Sequence, residues 1–572
     1  MKPKLCTETL LCNQSQMLSV LKQFFTKKCI EELRQSLWAA LHPTDLVLDI
    51  LSSCARLLYF PYKYAEDECK IALTKLYLEN QMLVHFIHSL CNVYNLTNSH
   101  TPHKQNLNTT QLNNTFISNN NKSKYFITLK SLDNDPVLLA HTQSILMIAF
   151  KLCCMPIDLH GVDNSDDVLP LYNVMYDTSN DEGLTCQKNL GKQLVNLLFG
   201  SDLDDYEPEV KATHDLIQWC FRSPIKEIQW GACALLSQFL AFRILELSDR
   251  KRDSRPNKSD QMTIVEEERA AGNLVWTLLT SADQSAVHTP HSLINFIEDS
   301  HVILNVHGLS LLNNLMLCMY SESNMHEILP QFTHELQFHQ ICRLQFTSSN
   351  NPLLKRKQLS TVSSVSSSRT RSISGGKYLT WYFDKPLNIC INLLQHNCSV
   401  IRQYALLFIG NVLFVSNELC MNIVSALPRI VSLLTDDSSS RVRTNAAACL
   451  GNTCYYIDQL YDYLCKNKIL QALLETGCLD GDRRVQEAAL AALRALCVSD
   501  HRICEDLSNM NTVKRLNDMQ SDLKRINTNR SGRKSSARSR MSIIQLGLID
   551  YTVISQHATA ICDIMCVKQE DT

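Results

Sequence analysis

The residues best placed for chemistry are amides, cations and hydroxyls rather than paired carboxylates or metal ligands. Asn411 and Asn452 stand 41 residues apart, each after a glycine (Gly410, Gly451), and Asn314 lies in a looser copy of that setting. A carboxamide carries a donor and an acceptor, so a row of them can satisfy the backbone of an extended peptide without reading its side chains. The competing reading, and the weightier one, is that each ends its helix and bonds the backbone of the next turn. Arg402 and Arg443 recur one repeat apart and could form a basic ladder for acidic ligands. Exposed arginines more often solvate a face or pair locally, and the solvated face is the favoured reading. Ser372, Ser374, Ser360 and Ser536 each follow a basic residue by three positions (Arg369, Arg371, Lys357, Arg533). Basophilic kinases read that spacing, and an added phosphate would invert the local charge. An unmodified linker is the equal alternative.

Catalytic apparatus is not found. The sequence holds no Gly-rich phosphate loop, no His-Glu-x-x-His, no Gly-x-Ser-x-Gly nucleophile turn and no protein-kinase motif. Asp163-Asn-Ser-Asp-Asp and Asp480-Gly-Asp are acidic, but a calcium loop needs alternating oxygen ligands, a turn glycine and a closing glutamate. Both are read as solvated loop carboxylates. The expectation is a chain that is not itself an enzyme, with no cofactor and no metal. A divergent kinase core is the enzyme alternative, and missing metal-binding carboxylates and lysine weigh against it.

These residues would be held by a repeated helical unit. One copy runs from Ser399-Val400-Ile401-Arg402 to Gly410-Asn411; the next, 41 residues on, from Val442-Arg443 to Gly451-Asn452; the third, 43 further, from Val485-Gln486 to Leu496-Cys497. Leu406/Ala447/Leu490, Ile409/Leu450/Leu493 and Leu413/Cys454/Cys497 fall at i, i+3 and i+7, the stripe of a helix with one buried face. A second stripe follows each, at Leu427–Val431, Ile469–Leu473 and Thr512–Leu516. Paired amphipathic helices at this period predict an all-α armadillo/HEAT-like right-handed α-solenoid with disordered insertions. Such units bury their apolar faces only by stacking, so further copies are expected upstream. Asn305 to Leu315 fits the template at lower fidelity, and Ile228 to Phe239 less well.

Composition agrees. Glycine is 15 of 572 residues, too few for the φ > 0 turns of β-rich or nucleotide-binding α/β folds. The net charge of −2 gives no whole-chain attraction to nucleic acid or anionic membrane. The basic cluster at 524–540 could be a nuclear-localisation or nucleic-acid patch. It lacks interleaved aromatics for base stacking, so nucleic-acid binding is the weaker option. No apolar run of bilayer-spanning length is apparent, and no signal peptide. The 24 cysteines form no Cys-x-x-Cys pair and fall in apolar stripes, as small hydrophobes would. A reducing cytosolic compartment follows.

The predicted organisation is a helical region over 1–94, an Asn-rich disordered loop over 95–124 and degenerate helical repeats over 125–349. A basic Ser-rich linker follows over 350–376, then armadillo repeats over 377–516 and a basic tail over 517–572 with room for a terminal helix. A charged break is expected at Arg250 to Lys258.

Leu407-Phe408-Ile409-Gly410-Asn411, Ser416-Asn417-Glu418-Leu419-Cys420, Ala426-Leu427-Pro428, Arg443-Thr444-Asn445-Ala446-Ala447, Leu450-Gly451-Asn452 and Leu460-Tyr461 follow one another in an order that resembles the C-terminal armadillo region of Fused-type serine/threonine kinases. Ile503-Cys504-Glu505-Asp506 is similar to that family's Leu-Cys-Glu-Asp turn. The resemblance covers roughly residues 397–516. It implies that Asn411 and Asn452 sit on third helices facing a concave groove, and that the partner is a protein or extended peptide, with a kinesin-like protein as one candidate. It implies work in cilium assembly, Hedgehog-type signalling or cytokinesis, with cytoskeletal or ciliary association; the monomer and the cytoplasmic location are expectations from the fold class and the cysteines. Residues 1–260 hold none of the family's kinase motifs, so no ATP or magnesium site is carried over. A generic armadillo/HEAT adaptor is the alternative. Nuclear-import adaptors place Trp four residues before the Asn; Leu407 and Ala448 occupy those positions, which disfavours an import receptor.

Overall fold

A computed structural model describes residues 3–37, 43–64, 67–94, 135–153, 181–200, 208–253, 271–280, 290–323, 376–415, 419–531 and 552–570. Among them the secondary structure is helical, with no strand. The chain forms two compact units, one from Met1–Glu246 and Asp260–Cys318, the other from Leu247–Ser259 and Met319–Thr572.

The second unit shows the repeat most plainly. It begins with α12 (Gly376–Leu393) and α13 (Ser399–Val415). Next come a 3-10 turn (Cys420–Ala426), α14 (Leu427–Asp436) and α15 (Ser440–Asn452). The following copy is α16 (Ile457–Lys466), α17 (Ile469–Leu479) and α18 (Arg483–Ser499), and the last is α19 (His501–Asn509), α20 (Thr512–Ser531) and α21 (Thr552–Glu570). Each copy is a short first helix, a second helix and a third. The third helices stack in a row, α13 on α15, α15 on α18, α18 on α21. Small residues allow it: a Cβ on Gly451 would lie 2.9 Å from the Ala492 Cβ and 3.0 Å from its Cα, so α15 and α18 touch almost backbone to backbone.

Three expectations are corrected here. The repeats run past 516: α20 carries Lys524, Arg525 and Arg530 inside a helix, and α21 is the third helix of the last copy. It buries Val553, Ile554, Ala558, Ile561 and Met565. The expected break at Arg250 lies inside a continuous helix to Asp253. One helix is also long and apolar enough to cross a membrane, over Val302–Met319, and 89% of that window is buried inside the fold. Its asparagines and His307 hide that length in a reading of uninterrupted apolar runs.

The first unit runs α1 (Pro3–Phe24), α2 (Lys27–Ser36), α3 (Pro43–Tyr64), α4 (Asp67–Glu79), α5 (Met82–Val93), α6 (Pro136–Cys153), α7 (Asp181–Phe199), α8 (Pro208–Arg222), α9 (Lys226–Asp253), a helical run over 271–280, α10 (His291–Ile297) and α11 (Val302–Ser323). It uses the same joints. In α4–α5 the Asn80 Nδ2 donates to the Leu76 carbonyl at 2.8 Å, and Gln81 turns left-handed (φ 57°) before the second helix starts. In α16–α17 Asn467 donates to the Tyr463 carbonyl at 2.7 Å and Lys468 turns left-handed (φ 53°). The same chain reversal thus serves both units, and Asn511 (φ 55°) makes it once more between α19 and α20. Arg34 donates to the Asn92 and Val93 carbonyls at the end of α5, placing a cation where a helix leaves unpaired acceptors. The segments 95–124 and 350–375, to which the loop and linker expectations belong, lie outside the described residues.

Candidate functional site

The candidate residues fall on the third helices, and one register governs them. Before the third helices α9, α11, α13, α15 and α18 the chain makes a short turn whose first side chain accepts a hydrogen bond from the N–H two residues on. Asp437 accepts from Ser439 (2.9 Å), Asp480 from Asp482 (2.8 Å), Asp299 from His301 (2.8 Å), Ser223 from Ile225 (3.3 Å) and His396 Nδ1 from Cys398 (3.0 Å). This side-chain turn fixes the chain reversal and launches the helix.

Six positions after the turn residue, a side chain reaches back to the turn's own carbonyls. Arg402 Nη1 donates to the His396 carbonyl at 2.7 Å, and Arg443 Nη1 to that of Asp437 at 2.7 Å. Asn305 donates to the Ile297 and Asp299 carbonyls at 2.6 and 3.4 Å, and Gln229 to that of Ser223 at 2.8 Å. Arginine has donors to spare, so it also grips the next repeat. Arg402 meets Asp437 at 2.7 Å, and Arg443 holds Asp480 with both Nε (2.8 Å) and Nη2 (3.0 Å). The carboxylate side chains are only 3% and 9% exposed. Asp480's hydrogen bond, set against a smaller penalty from burial, pushes the Arg443 guanidinium still higher than its ordinary value. The expectation that Arg402 and Arg443 solvate a face, or wait for an acidic ligand, is corrected: both are committed to inter-repeat ion pairs. Asp480 is corrected with them, from solvated loop acid to the buried partner.

The asparagines come nine positions later. Asn452 donates to the Gly410 carbonyl at 2.8 Å, one repeat back, and Asn314 donates to Ser237, to its carbonyl at 3.1 Å and to Oγ at 2.9 Å. Ser237 in turn meets Ser310 Oγ at 2.6 Å. Asn411, Asn452 and Asn314 are 2%, 4% and 6% exposed. Asn452 and Asn314 join third helix to third helix, which is neither the free groove amide nor the next-turn bond expected. Buried within the stack, they are corrected as contact residues for a partner. Asn445 was missed. Its Nδ2 donates to the Gln403 carbonyl at 3.1 Å, so Asn445 and Asn452, two turns apart on α15, bond two carbonyls two turns apart on α13. The clue available was its place seven residues before Asn452.

The register lapses at α18. Gln486 stands where the arginines were and Ala495 where the asparagines were. On the short first helices a different cluster takes over. Arg502 lies over the Tyr461 ring at 4.1 Å and pairs with Asp500 at 2.7 Å, while the Tyr461 hydroxyl donates to Asp506 at 2.8 Å. Burial and the neighbouring Asp506 push the Tyr461 hydroxyl well above its ordinary value. No group of three or more His, Cys, Asp or Glu able to hold a metal occurs among the described residues. Ser360, Ser372, Ser374 and Ser536 lie outside them.

The chain is similar to several known proteins. A family model described as HEAT repeat matches residues 426–457, which take in α14, α15 and the turn beyond. Serine/threonine-protein kinase 36 of Pongo abelii is 35% identical over 97 residues, 17% of this chain and 7% of that kinase. The chain thus spans a small part of that relative's length. Among solved structures, computationally designed armadillo repeat proteins for modular peptide recognition align with 61% of this chain and 98% of their own, at 16% identity and a TM-score of 0.33. Kap121p bound to Pho4p aligns with 94% of this chain and 46% of its own, at 12% identity and a TM-score of 0.28.

Proposed function

We propose that this chain is a non-catalytic scaffold that presents a protein or extended peptide along its stacked third helices, akin to the repeat region of a Fused-type kinase. The observation that carries the reading is the register just described. One turn, one back-bonding side chain and one inter-helix amide recur across copies, and within the second unit the stacked third helices offer a preorganised surface with low ordering cost on binding. The similarity to kinase 36 supports the kinase-related part. A cytoplasmic, cilium-associated role with a kinesin-like partner belongs to the same proposal. The partner meets side chains that the stack leaves exposed, since the asparagines and the two arginines are already engaged.

Crosslinking of the purified full chain to candidate kinesin-like proteins tests the scaffold reading, alongside an ATP-turnover assay. Saturable crosslinking without turnover supports it. Metal-dependent phosphorylation that survives stringent purification overturns it. The HEAT match favours a broader second reading, an adaptor unrelated to kinases; a kinase domain encoded upstream in the full transcript would exclude that.

A further inference from the structure

Arg494 breaks the pattern of the third helices. It stands where the two preceding copies have Gly410 and Gly451. Gly451 lies against Ala492 of the next third helix, so the equivalent edge of α18 is the one directed at α21. Arg402 and Arg443 are paired with buried aspartates and Arg502 with Asp500. The Arg494 side chain is half-buried, yet takes part in no hydrogen bond, ion pair or ring contact among the described residues. Asp563 on α21 is exposed and does not pair with it. Burial alone acts on its guanidinium and pulls it below the ordinary arginine value. A cation withdrawn from water without an acid is unfavourable until one arrives.

We propose that Arg494 anchors a carboxylate of an acidic peptide segment in a partner protein, at the edge of α18 facing α21. The inference rests on the scaffold reading and names the chemistry of its partner. The charge sign excludes a basic ligand. A single fork of N–H donors suits one Asp or Glu side chain, whereas phosphate readers gather several arginines. Arginine thus stands at this one copy where the two preceding ones have glycine.

The test is fluorescence anisotropy with the full chain and three short extended probes: a Glu-Ala repeat, its phosphoserine-Ala counterpart and a Lys-Ala repeat. The Glu-Ala probe should bind best. Arg494→Gln should weaken it about tenfold, as for a lost charge-assisted hydrogen bond, and Arg494→Lys should retain part of the affinity. Arg494→Gly, the residue of the other two copies, serves as a second variant suited to the helix stack. Circular dichroism checks the folding of each. If the Glu-Ala probe binds all variants equally, Arg494 is not the anchor while the scaffold reading stands. Preference for phosphoserine or lysine overturns the carboxylate assignment alone. No binding by any probe, with crosslinking to proteins also absent, removes the scaffold reading as well.

Discussion

The two units solve one packing problem with different side chains. In the second, Arg402 and Arg443 each close their own turn and reach an aspartate in the next copy. In the first, those tasks are divided: Asn305 closes the turn around Asp299, and Lys226 at the start of α9 supplies the cation. An amide cannot carry charge and a lysine has no fork, so two residues replace one. The difference shows in burial. The Arg443–Asp480 side chains are 16% and 9% exposed, whereas Lys226 is 43% exposed. What recurs is the position of the Asp turn and of the inter-helix amide, which matter more to this fold than the identity of the cation.

The strongest way to break the comparison is a buried charge in one unit. Leu450 is fully buried on α15, and Leu450→Asp should cost more than about 4 kcal/mol. Thermal melting followed by circular dichroism should show early loss of the helical signal of the second unit, with a remaining transition for the first. A single shared transition would mean that the units do not melt independently.

Cutting the cation is the next largest effect. Arg443→Ala leaves Asp480 buried without its partner and should cost about 3 kcal/mol. Lys226→Ala should cost less than about 1 kcal/mol, because water already screens that pair. Equal losses in urea unfolding would contradict the division of labour drawn above. The amides come next: Asn452→Ala and Asn314→Ala should each cost about 1–2 kcal/mol as buried carbonyls lose a donor. A double mutant with Ala at 452 and 410 tells little, since the Gly410 acceptor is main chain; Asn452→Asp, which removes the donor and adds charge, should be worse than Ala.

Acid separates the units differently. His85 in the first is held down to about 4 by burial and by the nearby Lys22 and His88. Its folded value lies below the unfolded one, so its neutral form favours the fold at neutral pH. That contribution is lost as pH falls from about 6.5 toward 4, because the unfolded chain takes up the proton first. Asp299 is pushed up by burial, but hydrogen bonds from Lys226 and the His301 N–H, with their charges, leave it below the ordinary carboxylate range. Its contribution is present above the ordinary aspartate value and is lost at still lower pH. His85→Gln should flatten the melting-temperature decline of the first unit between pH 6.5 and 4; an unchanged slope would assign that decline elsewhere.

Much of the second unit could be read from residues. The period, the Gly-Asn pairs and the paired apolar stripes give the helix order, because packing repeats what the residues repeat. The ion pairs were not legible. Asp437 and Asp480 sit in short polar turns, and nothing local distinguishes a solvated acid from one gripped by an arginine 35 or 37 residues earlier. The first unit looked degenerate because Gln229 and Asn305 hold the arginine positions and Gln238 an asparagine position. The register becomes visible only when counted from the turn. A terminal helix was expected, but the place of α21 in the last copy was hidden by a different cause: residues 532–551 separate it from α20 and break the period.

The smallest effect tests the joint that the units share most closely. Gln81 and Lys468 both adopt left-handed φ between a first and a second helix, each after an asparagine that bonds the carbonyl four residues back. A side chain in that region costs about 1–2 kcal/mol, while glycine loses about 0.5–1 kcal/mol in backbone entropy. Lys468→Gly should therefore gain about 0.5 kcal/mol and Gln81→Gly a similar amount, with Ala near neutral at both. Each gain should appear as a small rise in the melting temperature of its own unit. A loss at one site with a gain at the other would show that the matching backbone angles conceal different roles, and would confine the shared register to the third helices.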